Sequence, residues 1–300
     1  MTAFDKRVGF VGAGKVGFTL GKLFAESGIA VSGYSSSNAA DAEAAAAFTN
    51  SHAFGDARQV VDASDVVFFT VPDGAIADAW EALVFSYGNA AFDALFGKVV
   101  CHCSGSFSSG EFANAAKYGA SAASVHPLYA ISNKEESYKT VASALFTLEG
   151  DGAAVTAAAN VLDACGARHR EIASRDKALY HAAAVCASNL AAGLFASAQV
   201  MLERCGFGAD EARQALSPLF VGNCEAVAAR GPIDALTGPI ERNDFETVTN
   251  HLLAFSGDPT LLKQRDAYTA LSRVVLELAA AKHPDRDYLK LADVLRAARK

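Results

Sequence analysis

The chain has 300 residues, a length that favours two domains, and 51% of them are hydrophobic, so a large core is possible. Its formal net charge of −7 argues against nucleic acid or an anionic membrane as the main partner, because both need a basic face. None of its six cysteines belongs to a C-x-x-C pair, which favours free thiols in a reducing cytosol. We therefore expect a cytoplasmic protein without a bound metal.

The most informative stretch is a glycine-rich turn near the start of the chain. Arg7–Val11 has the pattern of a strand, and it leads into the spacing G-x-G-x-x-G and then an amphipathic helix. In a dinucleotide site the first glycine allows the turn, the second admits the pyrophosphate and the third lets the helix pack closely. Free N–H groups at the helix start then bind phosphate. We predict a dinucleotide site formed by Gly12, Ala13, Gly14, Lys15, Val16 and Gly17.

Apolar segments typical of strands alternate with Ala-rich helical segments as far as Ile172. Several are continuously apolar, such as Val66–Val71, as expected when both faces of a sheet are covered. This alternation predicts an α/β fold with a doubly wound, mostly parallel Rossmann-like sheet. After Ile172 the pattern is helical. We therefore predict a dinucleotide-binding domain over residues 1–172 and an all-α domain for substrate binding and dimerisation over residues 173–300.

One stretch of the helical part, from Ala178 to Leu202, contains no Asp, Glu, Lys or Arg. It could be mistaken for a membrane span, but polar residues within it would be costly in lipid. A helix buried within the protein or at a subunit interface explains it better. We expect no membrane contact and a homodimer formed through the helical domain.

The residues after the second predicted strand indicate which nicotinamide cofactor is bound. An NAD site usually places an Asp or Glu there, about 20 residues past the glycines, to bind the ribose 2′-hydroxyl. Here Tyr34, Ser35, Ser36 and Ser37 occupy that place, and the first acid is Asp41. No carboxylate is placed to repel a 2′-phosphate, so we predict NADP, with contacts from Tyr34, Ser35 and Ser36. The alternative is a plain polar loop, because no Arg or Lys is present there.

Two further loops follow strands at the same edge of the sheet, where ligands bind in open α/β folds. Val71, Pro72 and Asp73 follow one strand, and we expect them to contact the cofactor, with a helix cap as the alternative for Asp73. Ser104 and Gly105 follow the next strand, and Ser104 could bind the nicotinamide or the substrate.

His126 ends a third strand at this edge, immediately before Pro127. Imidazole titrates near neutrality, so His126 could act as an acid–base group. The alternative is a histidine whose ring bonds to the backbone of the turn.

The long helix after residue 173 carries the best catalytic candidates. Lys177, His181 and Ser188 recur on one side of it, and Asn189 lies beside them. Hydride transfer to a C=O or C=N group needs a proton donor, which Lys177 or His181 could supply. Ser188 or Asn189 would then orient the substrate. The alternative is that these groups make contacts between helices or between subunits.

Arg242 lies in a Gly/Pro-containing loop between two predicted helices. Its guanidinium could bind a substrate carboxylate in a bidentate manner. Equally, it could hold the loop by pairing with Asp244 or with a helix end.

With these residues in place, the chain resembles a bacterial family that pairs a Rossmann-like domain with a helical domain and is described as NADP-dependent oxidoreductases. It departs from that family at Asn243, where glycine is usual, and at Tyr129. More distantly, it is similar to pyrroline-5-carboxylate reductase and the β-hydroxyacid dehydrogenases, which implies that the helical domain completes the active site and forms a dimer. The resemblance rests, in order, on Gly12–Gly17, His102–Ser106, His126–Leu128, Phe146–Asp151, Lys177–Asn189, Ser217–Leu219, Leu236–Asp244, Thr247 and His251.

Together these features predict an NADP(H)-dependent oxidoreductase that transfers a hydride to or from a small carbonyl, imine or hydroxy-acid metabolite. The alternative is a non-enzymatic dimer that binds or senses NADP(H). A reductase that uses deazaflavin on a similar fold is a third option.

Overall fold

The computed structural model describes residues 5–298 and is built around an eight-stranded sheet in the order β3-β2-β1-β4-β5-β6-β7-β8. Neighbouring strands are parallel except β6 and β7, which are antiparallel. The predicted doubly wound, mostly parallel Rossmann-like sheet is confirmed. The strands are β1 (Val8–Val11), β2 (Val31–Ser35), β3 (His52–Ala53), β4 (Val66–Phe69), β5 (Val99–His102), β6 (Ser121–Pro127), β7 (Leu145–Gly150) and β8 (Arg168–Glu171).

Helices cover both faces of this sheet. Phe10 and Phe68 point to one face, where Phe10 stacks on Phe24 of the first helix. Phe69 points to the other face and contacts Trp80. Because alternate strand residues meet different helices, β4 is apolar at every position. The helices are α1 (Lys15–Glu26), α2 (Ala39–Thr49), α3 (Ala57–Ala63), α4 (Ile76–Tyr87), α5 (Ala91–Leu95), α6 (Gly152–Ala164) and α7 (Lys177–Ala187).

The strand order reverses at β1, which lies between β2 and β4. Open α/β sheets bind their ligands in the crevice beyond such a switch point. The loops after β1, β2 and β4 therefore meet where a dinucleotide is expected. Strand β3 has only two residues, both exposed, so no periodicity in the sequence indicates it.

The chain divides into two compact units, one ending at Val185 and the other beginning at Cys186. Within the described residues the second unit is helical, as predicted, with a core that includes Val248 and Leu291. The strands end close to the predicted boundary at residue 172, while α7 groups with the sheet. The assignment of functional domains remains a prediction. The helices of this unit are α8 (Asn189–Arg204), α9 (Ala209–Arg230), α10 (Pro232–Ala235), α11 (Phe245–Ser256), α12 (Leu262–Lys282) and α13 (Leu289–Ala297).

The charge-free helical stretch is not buried. The helical segment Ser174–Arg204 spans 31 residues, and the mean hydropathy of its most apolar part is 1.5. By length and composition alone it could cross a membrane. None of this apolar part is buried within the described residues, since its buried share is 0%. The stretch is also interrupted at Ser188, where φ is −127° and ψ is −83°. Burial inside the protein is therefore the wrong explanation for its composition. The subunit interface remains a prediction.

Candidate cofactor and active site

The glycine turn after β1 is held tightly against Thr70, directly after β4. Gly12 has a φ of +108°, and a Cβ there would lie 2.7 Å from the carbonyl carbon of Thr70. A Cβ on Gly17 would lie 2.3 Å from the Thr70 hydroxyl, which itself donates to the Gly12 carbonyl at 2.7 Å. Only glycine fits either position, because neither gap admits a carbon atom. At Gly12 the backbone adds a second reason, because L residues rarely adopt such a φ.

Gly14 is different, because a Cβ added there would meet nothing closer than 3.9 Å. It is the N-cap of α1, and no side chain of the described residues caps this helix end. The first N–H groups of α1 are therefore available to an anion, as the dinucleotide prediction requires.

The turn opens into a cleft of about 500 Å³ in the first unit. Seven of the predicted cofactor residues line it, namely Gly12, Ala13, Gly14, Ser35, Ser36, Val71 and Pro72. Its other lining residues are Val11, Ser37, Asp41, Gly55, Asp56, Ala57, Thr70 and Ala75. Seven further predicted residues lie outside this lining, namely Lys15, Val16, Gly17, Tyr34, Asp73, Ser104 and Gly105. The loop after β3 was missed because β3 itself has no sequence signal.

Tyr34 is in the core rather than in the cleft, so its predicted cofactor contact is wrong. Its ring is fully buried and stacks on Phe10 with centroids 5.0 Å apart. The Tyr34 hydroxyl packs against α1 and fills the space that a Cβ on Gly21 would occupy. Strand alternation explains this, because Tyr34 of β2 points to the same face as Phe10 of β1.

Two carboxylates line the cleft, those of Asp41 and Asp56, and no Lys or Arg does so among the described residues. Asp41 is in the first turn of α2 and accepts a 3.0 Å hydrogen bond from the Asn38 amide. Asp56 caps α3 by accepting from the Gln59 N–H at 2.9 Å. The cleft in which the dinucleotide is predicted thus contains two carboxylates, and the NADP preference stays a prediction.

A second group of polar residues lies at the ends of β5 and β6 in the same unit. Ser104 is buried, and its hydroxyl donates to the Asp73 carboxylate at 2.7 Å and accepts from the Phe107 N–H at 3.1 Å. No side chain caps α4, whose N-cap is Ala75. Asp73 therefore binds the Ser104 loop instead of capping the next helix.

Lys177 anchors this loop from α7. It is 1% exposed, and its Nζ donates to the Ser104 carbonyl at 3.0 Å and to the Ser124 hydroxyl at 2.6 Å. Burial lowers the pKa of the ammonium, against the opposing effect of the Glu149 and Asp73 carboxylates. Ser104 follows the end of β5 and Ser124 lies within β6, so Lys177 joins α7 to the sheet.

Glu149 is a buried carboxylate that the sequence pattern did not single out. Its Oε2 accepts from the Ser109 N–H at 2.7 Å, and its Oε1 accepts from the Ser174 hydroxyl at 2.5 Å. The available signal was an acid within the otherwise apolar end of β7. This carboxylate ties the loop after β5 to the turn that starts α7.

His126 and His181 face each other across the backbone of Gly105. A Cβ on Gly105 would lie 2.8 Å from His126 Nε2 and 2.6 Å from His181 Cδ2, and the two rings lie 6.1 Å apart at 85°. The Tyr180 hydroxyl lies 2.8 Å from His126 Nδ1. The structure thus brings the predicted residues Gly105, His126 and His181 together and adds Tyr180. The backbone alternative for His126 is wrong, because its hydrogen-bond partner is the side chain of Tyr180.

Burial lowers the pKa of His126 to about 4, with Lys177 and His181 contributing in the same direction. The ring is therefore neutral at pH 7. Burial also raises the pKa of Tyr180. One hydrogen bond joins Nδ1 of His126 to the Tyr180 hydroxyl, and Nε2 is the ring nitrogen that lies beside Gly105.

His102 is a buried histidine with a defined tautomer. Its Nδ1 accepts from the Ser104 N–H at 3.1 Å, so its Nε2 must donate to the Ser108 carbonyl at 2.9 Å. Burial lowers the pKa of this imidazole. The ring shapes the loop that carries Ser104 and Gly105.

Ser188 and Asn189 belong to the second unit, beyond the helix interruption. The Ser188 hydroxyl donates to Asn189 Oδ1 at 3.0 Å, and both residues are exposed. The predicted continuous stripe from Lys177 to Asn189 is therefore interrupted, and the roles of Ser188 and Asn189 remain predictions.

Arg242 lies in a braced loop of the second unit. Asp244 accepts from the Thr247 N–H at 3.0 Å and caps α11, while the carboxylate of Glu241 contacts His283. Arg242 is exposed. Hydrogen bonds from Thr247 lower the pKa of the Asp244 carboxyl, and the Arg242 charge contributes in the same direction. Both alternatives for Arg242, holding the loop and binding a substrate carboxylate, stay predictions.

Two family models match the chain. Residues 3–127 match a Rossmann-like domain, and residues 144–275 match a domain of unknown function, DUF2520. The predicted pairing of a Rossmann-like domain with a second, helical family domain is confirmed. No curated protein matches the sequence.

Solved structures share this fold along nearly the whole chain. A protein from Thermotoga maritima is 23% identical, with a TM-score of 0.70 over 92% of this chain and 99% of its own. An imine reductase from Myxococcus stipitatus in complex with NADP+ is 20% identical, with a TM-score of 0.60 over 98% of this chain and 100% of its own. A pyrroline-5-carboxylate reductase from Coxiella burnetii is 13% identical, with a TM-score of 0.54 over 98% and 97%.

Proposed function

We propose that this chain, which carries a Rossmann-like domain followed by DUF2520, is a nicotinamide-dinucleotide-dependent oxidoreductase acting on a small carbonyl, imine or hydroxy acid. The observation that carries the proposal is one compact unit that holds both a glycine turn at a topological switch point and a histidine pair beside the loop after β5. Similarity to an imine reductase and a pyrroline-5-carboxylate reductase supports a C=N or C=O substrate.

The residues of the cleft fit the diphosphate of such a cofactor, through the uncapped start of α1 and the open side of Gly14. When bound, the nicotinamide supplies or accepts the hydride. The predicted NADP preference rests on the hydroxyls of Ser35 and Ser36, both of which line the cleft.

For the proton we favour His181 over Lys177. Lys177 is almost fully buried, and its ammonium is engaged by two acceptors. His181 is partly exposed beside Gly105, and histidine is the usual general acid or base of enzymes. His126, neutral at pH 7, would form a hydrogen bond through Nε2 that orients the reacting group.

A screen of small carbonyls, imines and hydroxy acids for a change in NADH or NADPH absorbance tests this proposal. In His181→Ala we expect turnover to fall by at least about 100-fold, with cofactor affinity unchanged by fluorescence titration. His169→Ala, on β8 and paired with Asp163, is the matched control and should retain turnover. Turnover equal to wild type in His181→Ala would reject the proton role, and failure to bind either dinucleotide would reject the proposed function.

The second proposal is a homodimer through the helical unit. No residue of helix α8 is buried, and two of its large apolar side chains, Leu190 and Leu194, are 57% and 45% exposed. An uncovered apolar helix of this kind is typical of an interface. Light scattering should give a dimer at micromolar concentration and a monomer for Leu194→Glu; a wild-type monomer would contradict it. A dimer that binds the dinucleotide without turnover across the screen would instead favour the sensing alternative.

We place the protein in the cytoplasm, in keeping with its six free cysteines.

A further inference from the structure

We propose that Asp41 and Asp56 select the cofactor by its ribose, favouring NADH over NADPH. The inference rests on the proposed function, because it assigns roles to two residues of the same cofactor cleft. It is an alternative to the NADP preference predicted from the sequence, and it follows from the two carboxylates of the cleft.

The position of both carboxylates relative to β2 supports this role. In a Rossmann fold the adenosine ribose lies beyond the end of the second strand. Asp41 follows that strand end by way of the Ser36–Asn38 loop. Asp56 follows β3, which pairs in parallel with β2 through Gly33 and His52, so both loops emerge at the same edge. Both side chains line the cleft that also contains Gly12 and Gly14.

The charge in the cleft is unsuited to a phosphate. A phosphate monoester carries a charge of about −1.5 to −2 at pH 7. The cleft would place it among two carboxylates, and no Lys or Arg among the described lining residues offsets them. Serine hydroxyls bind phosphate, but they supply no net positive charge.

The same carboxylates suit a ribose with free hydroxyls. Asp41 uses its Oδ2 to accept from Asn38, and Asp56 uses its Oδ1 to accept from Gln59. These bonds hold each carboxylate in place while leaving its second oxygen able to accept from a 2′- or 3′-hydroxyl. A hydrogen bond from a sugar hydroxyl to a carboxylate is the interaction by which NAD sites recognise the unphosphorylated ribose.

Fluorescence titration of the full chain with NADH and NADPH tests the proposal. We expect the wild type to bind NADH more tightly. Asp41→Asn and Asp56→Asn each remove one charge and keep the shape, and Asn remains a good N-cap at residue 56. Each should tighten NADPH binding by roughly tenfold, and NADH binding should weaken or stay the same. The NADPH affinity of the wild type, relative to NADH, should also improve as salt screens the carboxylates.

Glu43→Gln is the matched control, because Glu43 is an exposed acid on α2 that does not line the cleft. It should change both affinities by less than about twofold. Tighter binding of NADPH by the wild type, or an unchanged NADPH-to-NADH ratio in both Asp variants, would overturn this inference and leave the proposed function standing. Binding of neither dinucleotide would overturn the proposed function itself.

Discussion

Lys177, at the start of α7, donates a 3.0 Å hydrogen bond to the carbonyl oxygen of Ser104, 73 residues earlier in the chain. Through this bond a helix that follows all eight strands holds the loop after β5 in place. That loop carries Gly105, the backbone on which His126 and His181 converge. The geometry of the histidine pair therefore depends on a lysine that need not touch a substrate.

The role of Lys177 predicts a combined loss of stability and activity in Lys177→Ala. The substitution leaves a cavity and removes the donor that serves Ser104 and Ser124, so the free energy of unfolding in urea should fall by about 2 kcal/mol or more. Turnover should fall as well. The exposed Lys117 provides a control, since Lys117→Ala should change neither quantity. An unfolding free energy equal to that of the wild type would show that the two hydrogen bonds do not hold the loop.

Gly105→Ala should disturb the histidine pair more than it disturbs cofactor binding. The new methyl group would overlap His126 Nε2 and His181 Cδ2, both within 2.8 Å, so at least one ring must move. We expect a stability loss of about 1–3 kcal/mol and a larger fractional loss of turnover than of NADH affinity. Gly152→Ala is the control, because a Cβ there meets nothing within 4 Å. Equal activity in the two variants would argue against the histidines as the reacting groups.

The lowered pKa of His126 predicts loss of stability in acid. The unfolded chain takes up a proton on this ring near pH 6.5, whereas the folded chain does so only near pH 4. Between these values the unfolded state binds more protons, so stability falls as the pH is lowered, by up to about 3 kcal/mol for this group. Urea unfolding at pH 7.5 and pH 4.5 measures the loss, which should be smaller in His126→Gln. An equal loss of unfolding free energy in the wild type and in His126→Gln would show that other groups cause the acid sensitivity.

Gly12→Ala should abolish dinucleotide binding. Gly28→Ala is the control that separates the effect of backbone strain from that of the clash with Thr70. Both glycines have positive φ, +108° and +79°, so both variants pay for backbone strain of about 1 kcal/mol. Only at Gly12 does the added methyl also meet the backbone of Thr70. We therefore expect loss of NADH binding and a larger fall in melting temperature for Gly12→Ala alone. Retained binding in that variant would remove the glycine turn from the proposed site.

Much of the sheet is readable from the chain because its signals are local. The predicted strands Arg7–Val11 and Val66–Val71 end within two residues of β1 and β4. Continuous apolar segments mark strands covered on both faces. β3 was missed because two exposed residues are too few to show an alternation of apolar and polar side chains. The helix over residues 174–204 was predicted whole, since nothing in its composition marks the interruption at Ser188.

The chemistry of the candidate site was harder to read. Strand ends bring Ser104 and His126 to one edge, which β–α alternation implies. The neutral state of His126 depends on burial and on the nearby Lys177 and His181 of α7. The charge of the cofactor cleft depends on Asp56, which reaches it only through the pairing of β3 with β2. Such contacts come from packing between distant segments, and single-sequence patterns do not report them.

The sequence by itself determined the glycine turn, the strand-to-helix alternation and the change to an all-helical second half, because these follow from backbone sterics and from the period of apolar side chains. Only the tertiary structure decided that Tyr34 is a core residue, that Lys177 is a buried anchor and that Asp41 and Asp56 share a cleft with Gly12. These depend on which face of an element meets which neighbour, and that is settled by close packing across the whole unit.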